Sequence, residues 1–234
     1  MRAFLLAAGF GTRLRPLTNT VPKCLVPVAG KPLAQYWFDM LFPAGIERAI
    51  VNTHYLPDAV RAFVATSPWK DRVTLVHEET LLGTGGSLLA NRKLLGDGPF
   101  MAAHADNLTI FDVEAFIKRH RTRPQGVEIT MMTFETDAPQ SCGIVEEDGQ
   151  GIVRAFHEKV PNPPGRNANA AVYIFEPAVM EFMASLGKPV IDLSTEVIPH
   201  FLGRICTFHN DRYHRDIGTP ESLAQAERDF LKAV

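Results

Sequence analysis

The sequence predicts an α/β protein, a Rossmann-like three-layer sandwich whose central sheet is mixed, mostly parallel and covered by helices on both faces. Short apolar runs alternate with amphipathic helical patterns through the first half, as parallel strands joined by helices require. The second half instead contains a β-hairpin pattern. No linker, repeat or low-complexity segment interrupts the 234 residues, so we expect a single domain over residues 1–234.

The alternation in the first half sets the predicted elements. Strands are predicted at Arg2–Ala7, Arg48–Asn52, Val73–Val76 and Phe100–Ala103, with a further core strand at Val127–Phe134. Helices are predicted at Leu33–Phe42, Asp58–Ala65, Thr84–Leu94 and Val113–Arg121.

After Pro139 the pattern changes. The segment CGIVEEDGQGIVRAFHEK is typical of two strands joined by a turn at Asp148-Gly149. A proline-rich loop then leads to a strand at Ala171–Phe175 and a helix that opens at Glu176-Pro177. Two more helices are predicted, one over Ser194–Phe201 and one that begins with Thr219 as N-cap and Pro220 at its first position.

Composition limits the class of function. Hydrophobic residues make up 46% and charged residues 21%, the balance of a globular protein, and the net charge of −2 argues against a nucleic-acid partner. Three widely spaced cysteines indicate a reducing compartment. No apolar run approaches a membrane span and no signal peptide precedes the first strand. We therefore expect a cytoplasmic protein, away from membranes, with a small-molecule partner.

The segment LLAAGFGTRLRPLT, residues 5–18, ends a buried strand in a glycine-rich cationic loop. Such loops bring backbone N–H groups against an anion. The dinucleotide fingerprint fits poorly because Leu14 and Pro16 stand where a glycine and a helix belong, and no Walker lysine follows. A plain structural turn with exposed arginines remains the alternative at this point.

A longer pattern, LAAGFGTRLRPLT followed by PKCLVPVAGKPL, resembles the signature of the sugar-1-phosphate nucleotidyltransferases, also called NDP-sugar pyrophosphorylases. The resemblance continues in order through HEETLLGTGGSL, AAHADN, FHEK, NANAAVYIF, DLSTEVIP and HRDIGTPESL, over about residues 2 to 225. Three positions depart from the family pattern. They are Cys24 after the lysine, Ala105 before an aspartate and Ala171 where a glycine beside the sugar is usual.

The resemblance implies a role for each matching residue. Catalytic roles fall to Arg13 on the leaving pyrophosphate, Lys23 on phosphate oxygens and Asp106, and the Mg²⁺ ligands would be Asp106 and Asp216. Nucleotide binding would involve Leu6, Ala7, Ala8, Gly9, Gly11, Thr12, Glu79, Gly83 and Thr84. Sugar-phosphate binding would involve Gly86, Asn107, Gly143, Glu158, Lys159 and Asn169.

The chemistry suits these residue types. Joining two polyanions requires cations and in-line geometry more than a base, and Mg²⁺ favours one or two carboxylates with phosphate oxygens. The residues of these loops resemble those of the mannose-1-phosphate and heptose-1-phosphate guanylyltransferases. This resemblance implies that the substrates are GTP and a manno-configured sugar 1-phosphate. The alternatives are uridylyl or thymidylyl transfer to another sugar 1-phosphate, or a non-catalytic nucleotide-sugar-binding homologue. The resemblance also implies a homodimer, and the chain length implies no C-terminal left-handed β-helix.

Overall fold

A computed structural model describes residues 1–232, with side chains through Phe230, and the chain forms two compact units. Unit 1 contains Met1–Leu81, His104–Ile110 and the chain from Tyr213 onwards. Unit 2 contains Leu82–Ala103 and Phe111–Arg212. The single domain over residues 1–234 stays a prediction, and its last two residues lie outside the described part of the chain.

The helices and strands alternate as an α/β protein requires. The strands are β1 Arg2–Leu6, β2 Pro27–Val28, β3 Lys31–Pro32, β4 Arg48–Thr53, β5 Val73–His77, β6 Phe100–His104, β7 Asn107–Ile110, β8 Ile129–Glu135, β9 Gly143–Glu147, β10 Val153–Glu158, β11 Asn167–Phe175, β12 Ile205–His209 and β13 Tyr213–Asp216. The α-helices are α1 Leu33–Leu41, α2 Pro57–Thr66, α3 Gly83–Ala90, α4 Arg92–Leu95, α5 Val113–Arg121, α6 Pro177–Ser185 and α7 Pro220–Lys232. None of the described helices is both long enough and apolar enough to cross a bilayer.

Unit 1 is built on three parallel strands. β1 pairs with β4, and β4 pairs with β5, so all three end at the same edge of the sheet. The residues of β1 and β4 are mostly buried, as expected where a parallel sheet is covered. A separate antiparallel pair, β7 with β13, sets Asp216 opposite Asn107.

A buried apolar cluster in unit 1 holds the charged segments together. Leu14, Val26, Leu108 and Ile217 all belong to it and are at most 2% exposed. Each of them lies within three positions of a predicted catalytic or metal-binding residue. Removing these apolar side chains from water therefore fixes four chain segments that are far apart in sequence.

Unit 2 is centred on the long strand β11. It pairs antiparallel with β6 and β8, while β12 pairs parallel with β8 and β9 forms a hairpin with β10. The register of β11 against β8 shifts between Asn169 and Tyr173, which marks a bulge. The predicted α/β class with a mixed sheet is confirmed.

Several predicted elements differ in detail. The helix predicted over Thr84–Leu94 is two helices that break at Asn91, whose side chain donates to the Ser87 carbonyl and so competes with the helical backbone. The segment predicted as a helix over Ser194–Phe201 is a π turn followed by a 3₁₀ turn, because Pro199 has no N–H to donate.

The hairpin turn is longer than predicted. Asp148 accepts hydrogen bonds at Oδ1 from the N–H groups of Gln150 and Ile152, and Gly151, not Gly149, adopts a positive φ of 72°. At the last helix, Ser222 N–H donates to Thr219 Oγ1, which confirms the predicted cap. The short strands β2, β3, β7, β12 and β13 were not predicted.

Candidate active site

The glycine-rich loop follows β1 and presents its backbone outwards. Gly11 has a φ of 62°, and a Cβ there would lie 3.0 Å from Thr18 Cγ2 and 3.2 Å from Lys23 Cβ, so glycine is strongly favoured at this position. Its carbonyl accepts from Thr18 Oγ1 at 2.7 Å. Within residues 1–232, no group accepts a hydrogen bond from the N–H of Gly9, Phe10 or Gly11. These N–H groups are therefore available to an anionic ligand.

Three predicted residues meet beside this loop. Lys23 Nζ donates to Asp106 Oδ2 at 2.7 Å and to Asp216 Oδ1 at 3.1 Å. The two carboxylates are 110 positions apart in the sequence, and the pairing of β7 with β13 brings them to one ammonium. The spatial proximity that the resemblance implied is present in unit 1.

Arg13 completes the charged cluster. Its Nη2 lies 3.6 Å from Asp216 Oδ2, and its side chain is 67% exposed. Gly218 allows this approach, because a Cβ there would lie 2.7 Å from Arg13 Nη2 and 2.8 Å from Asp216 Oδ2. One pocket is lined by Gly9, Phe10, Gly11, Thr12, Arg13, Lys23, Asp106 and Gly218.

The ion pairs keep Lys23 and Asp106 charged at neutral pH. Burial disfavours the charged form of Lys23, but the carboxylates of Asp106 and Asp216 outweigh it and raise the pKa of the ammonium above its usual value. Burial likewise opposes ionisation of Asp106, yet the Lys23 charge holds the pKa of that carboxyl below its ordinary range. Cys24 next to Lys23 is buried, which raises the pKa of its thiol to about 12 and leaves it an unreactive neutral group.

The donor set suits a hard divalent cation that also binds phosphate. Among the described residues, no cluster of three or more histidine, cysteine or carboxylate side chains forms a complete metal site. Two neighbouring carboxylates beside an anion-binding loop are what Mg²⁺ uses when phosphate oxygens and waters supply the other ligands. Asp106 and Asp216 therefore fit such an ion.

A buried series of hydrogen bonds lies at the carboxyl ends of the three parallel strands. Ala7 N–H donates to Asn52 Oδ1 at 2.7 Å, and Asn52 Nδ2 donates to Glu78 Oε1 at 2.8 Å. Glu78 is only 6% exposed, whereas its predicted neighbour Glu79 is exposed. Ligands of open α/β sheets bind outside this edge. The sequence pattern did not separate the two glutamates, because burial depends on the end of β5.

The glycines predicted to approach a ligand in unit 2 have a packing role. A Cβ on Gly83 would meet the Ile191 carbonyl, and one on Gly86 would overlap the Pro189 carbonyl. The Thr84 hydroxyl accepts from Leu193 N–H at 2.7 Å. This close packing accounts for the glycines at both positions, and the ligand contacts of Gly83, Thr84 and Gly86 stay predictions.

The predicted sugar-side residues of unit 2 meet at the end of the hairpin. Lys159 Nζ pairs with Glu158 Oε1 at 3.1 Å, and Lys159 has a φ of 49°, in the left-handed region. Such backbone conformations in non-glycine residues are concentrated at functional sites. A Cβ on Gly143 would lie 2.7 Å from Glu158 Oε2, so this glycine lets the carboxylate pack over the neighbouring strand.

Asn169 is held by the bulge of β11. Its Nδ2 donates to Tyr173 Oη at 2.6 Å and its Oδ1 accepts from Ala171 N–H at 3.0 Å. Burial, which outweighs the hydrogen bond from Asn169, raises the pKa of the Tyr173 hydroxyl, with smaller contributions from Glu158 and Asp192. Tyr173 therefore stays a neutral phenol that fixes the Asn169 carboxamide.

The remaining predicted residues lie in unit 1. Ala7 and Ala8 are buried after β1, and Leu6 accepts the N–H of Ala105 at its carbonyl. Asn107 is 8% exposed, and its carbonyl accepts from Trp37 Nε1 at 3.1 Å. Asn107 thus supports the Asp106 segment within unit 1, and its contact with a sugar phosphate stays a prediction.

The glycine-rich loop, the two carboxylates and the two cations thus meet in unit 1 of an α/β protein. A family model described as "Nucleotidyl transferase" matches residues 2–233, and the chain belongs to that family. The mannose-1-phosphate guanylyltransferase of Mycobacterium tuberculosis is 32% identical over 99% of the chain. The catalytic subunit beta of the same enzyme from Danio rerio is 29% identical over 100% of the chain.

The chain spans 65% and 66% of the length of these two relatives. Among solved structures, a UDP-glucose pyrophosphorylase complexed with UDP-glucose has a TM-score of 0.83 at 20% identity, covering 100% of this chain and 99% of that one. At that identity the likeness establishes the fold.

Proposed function

We propose that this protein transfers a nucleoside monophosphate from a nucleoside triphosphate to a sugar 1-phosphate, forming an NDP-sugar and releasing pyrophosphate. The observation that carries the proposal is the convergence of Arg13, Lys23, Asp106 and Asp216 beside a loop with available N–H groups. The names of the curated relatives support GTP and mannose 1-phosphate, or a manno-heptose 1-phosphate, as substrates.

In this reaction an oxygen of the sugar phosphate attacks the α-phosphorus of the triphosphate. The bond from that phosphorus to the bridging oxygen breaks, and pyrophosphate leaves with the bonding electrons. The sugar phosphate is already ionised at neutral pH, so the step needs no general base. The chief obstacle is charge repulsion.

The residues of unit 1 reduce this repulsion. The planar guanidinium of Arg13 can hold two oxygens of the leaving pyrophosphate, and the Lys23 ammonium can neutralise the α-phosphate. Asp106 and Asp216 would hold Mg²⁺, which when bound supplies positive charge to the phosphate oxygens. The loop N–H groups orient the triphosphate for in-line attack.

The residues of unit 2 suit the sugar. Glu158 offers acceptors and Asn169 both donors and acceptors for hydroxyl groups, and Lys159 can pair with the sugar's phosphate. Because Lys159 now pairs with Glu158, phosphate binding would exchange one ion pair for another.

Glu78 supports guanine as the base. A carboxylate accepts hydrogen bonds, and the Watson–Crick edge of guanine carries two adjacent N–H donors, N1–H and N2–H, whereas uracil has one donor between two acceptors. Asn52 already donates to one Glu78 oxygen and fixes the orientation of the group. The buried carboxylate at the strand ends therefore favours GTP over UTP or dTTP.

A pyrophosphate-release assay tests the function and the base together. Five nucleotides (ATP, CTP, GTP, UTP and dTTP) are crossed with mannose, glucose, galactose and manno-heptose 1-phosphates. We expect the fastest release with GTP and a manno-configured sugar. Pyrophosphate release mainly with UTP or dTTP would instead indicate that the protein is a uridylyltransferase or a thymidylyltransferase. No release with any pair, despite nucleotide binding, would indicate a binding homologue.

The base assignment has a matched pair of variants. Glu78→Gln presents a donor as well as an acceptor, so kcat/KM for GTP should fall at least about tenfold relative to UTP. Glu79→Gln changes the exposed neighbour in the same way and should leave the GTP to UTP ratio unaltered. Equal effects of both substitutions would reject the role of Glu78.

A further inference from the structure

The four charged side chains of the candidate active site neutralise one another before a ligand binds. Lys23 donates to one oxygen of Asp106 and to one of Asp216, and Arg13 faces the second oxygen of Asp216. The cations that suit phosphate are thus paired with the carboxylates that suit a metal. Any ligand of this site must exchange these ion pairs.

A divalent cation alone makes an unfavourable exchange. It must displace the Lys23 ammonium from both carboxylates, and the Lys23 side chain is only 8% exposed, so its charge would be left without a counter-charge. A metal-free triphosphate has the opposite problem. It draws Lys23 away and leaves two carboxylates next to a polyanion.

The complex of a divalent cation with a triphosphate satisfies both sides. The cation replaces the ammonium at Asp106 and Asp216, while phosphate oxygens replace those carboxylates at Lys23 and Arg13. Every ion pair that breaks is replaced by another, and no charge is left alone.

We propose that Lys23 is a built-in competitor of the divalent cation for Asp106 and Asp216, so that metal and triphosphate enter this site as one complex. The triphosphate half of this inference rests on the proposed function; the competition at the carboxylates rests on the ion pairs alone. Lys23 then sets the order of binding, in addition to any contact it makes with phosphate.

The first test measures Mn²⁺ binding without nucleotide by electron paramagnetic resonance. Lys23→Met keeps the length of the side chain and removes its charge, so Mn²⁺ should bind about tenfold more tightly, or better, than to the wild type. Lys31→Met is the control, because Lys31 pairs with Asp39 away from the site and its loss should not change Mn²⁺ binding. Unchanged or weaker binding in folded Lys23→Met would overturn the proposal.

A second test needs no variant at position 23. Reductive methylation of the wild-type protein, read by mass spectrometry, reports how accessible each lysine is. At the high Mg²⁺ concentrations needed to fill the site without nucleotide, the labelling of Lys23 should rise several-fold, since the bound cation frees it from both carboxylates, and the labelling of Lys31 should stay unchanged. Constant labelling of Lys23 across a range of Mg²⁺ in which metal binding is detected would refute the competition.

Neither measurement uses turnover or a sugar. If no nucleotide and sugar 1-phosphate support pyrophosphate release, but Lys23→Met still binds Mn²⁺ more tightly, the proposed function fails and the competition stands. If turnover is found but Mn²⁺ binding does not respond to the loss of Lys23, the proposed function stands and the competition fails.

Discussion

Ala171 occupies a backbone conformation that favours glycine. Its φ is 53°, in the left-handed region, and it lies in the bulge where its N–H donates to Asn169 Oδ1. The resembling family usually has glycine at this position. Ala171→Gly should therefore relieve backbone strain without removing the hydrogen bond that holds Asn169.

The expected change in the free energy of unfolding is the difference between two opposing contributions. The left-handed conformation costs an L-residue about 1–2 kcal/mol. Glycine destabilises the folded state by about 0.5–1 kcal/mol relative to alanine, because it loses more conformational entropy on folding. The free energy of unfolding should therefore rise by up to about 1.5 kcal/mol, which raises Tm by up to roughly 3–6 °C for a chain of this size.

The measurement is thermal unfolding followed by circular dichroism, with Ala168→Gly as a matched control. Ala168 lies in the same strand, fully buried, and pairs with Phe134 without a positive φ. Its substitution loses a buried methyl group and adds backbone entropy, so stability should fall by about 1–2 kcal/mol. If Ala171→Gly lowered Tm as Ala168→Gly does, the strain argument would be refuted.

Three further predictions concern charge. Asp106→Asn should reduce turnover about a hundredfold or more, because it removes one negative ligand of the expected Mg²⁺, as steady-state pyrophosphate release would show. Arg13→Ala should lower kcat about a hundredfold with little change in KM for the sugar 1-phosphate. Burial, helped by Arg123, lowers the pKa of His120 to about 4, so stability should fall as pH decreases from about 6.5 to about 4, by up to about 1.4 kcal/mol per pH unit.

Each of these has a discriminating control. Asp58→Asn alters an exposed aspartate that pairs with Arg61 and should retain wild-type turnover. Arg15→Ala removes an exposed arginine of the same loop and should have a much smaller effect than Arg13→Ala. The pH prediction is tested by the sign of the effect. As the pH falls, His120 binds a proton in the unfolded chain before it does so in the folded protein, so acid must destabilise the folded state. Urea unfolding midpoints that rise below pH 6.5 would contradict this prediction.

The strands and helices of the first half were predictable because their periodicity is local. Val113–Arg121 was predicted with both bounds correct, since Asp112 caps it through Ala115 N–H and its apolar residues recur at helical spacing. β7 and β13 were not predictable in this way. Each is four residues long, and only its partner makes it a strand.

The candidate site was likewise predictable where local motifs decide it and unpredictable where long-range contacts decide it. The residue types of Arg13, Lys23, Asp106 and Asp216, and the glycines around them, could be selected from motifs. Their engagement with one another could not, because it depends on the β7–β13 register and on one apolar cluster. The same holds for Glu78, which differs from Glu79 only by burial at the end of β5.

The sequence by itself determined the alternation of elements, the glycine-rich loop and the set of charges, since these depend on residue type and short-range spacing. The tertiary structure alone decided that Lys23 lies between two carboxylates 110 positions apart, and that the glycine at position 86 serves packing. The physical reason is that long-range pairing and burial arise from the sum of many weak apolar contacts, which no local pattern encodes.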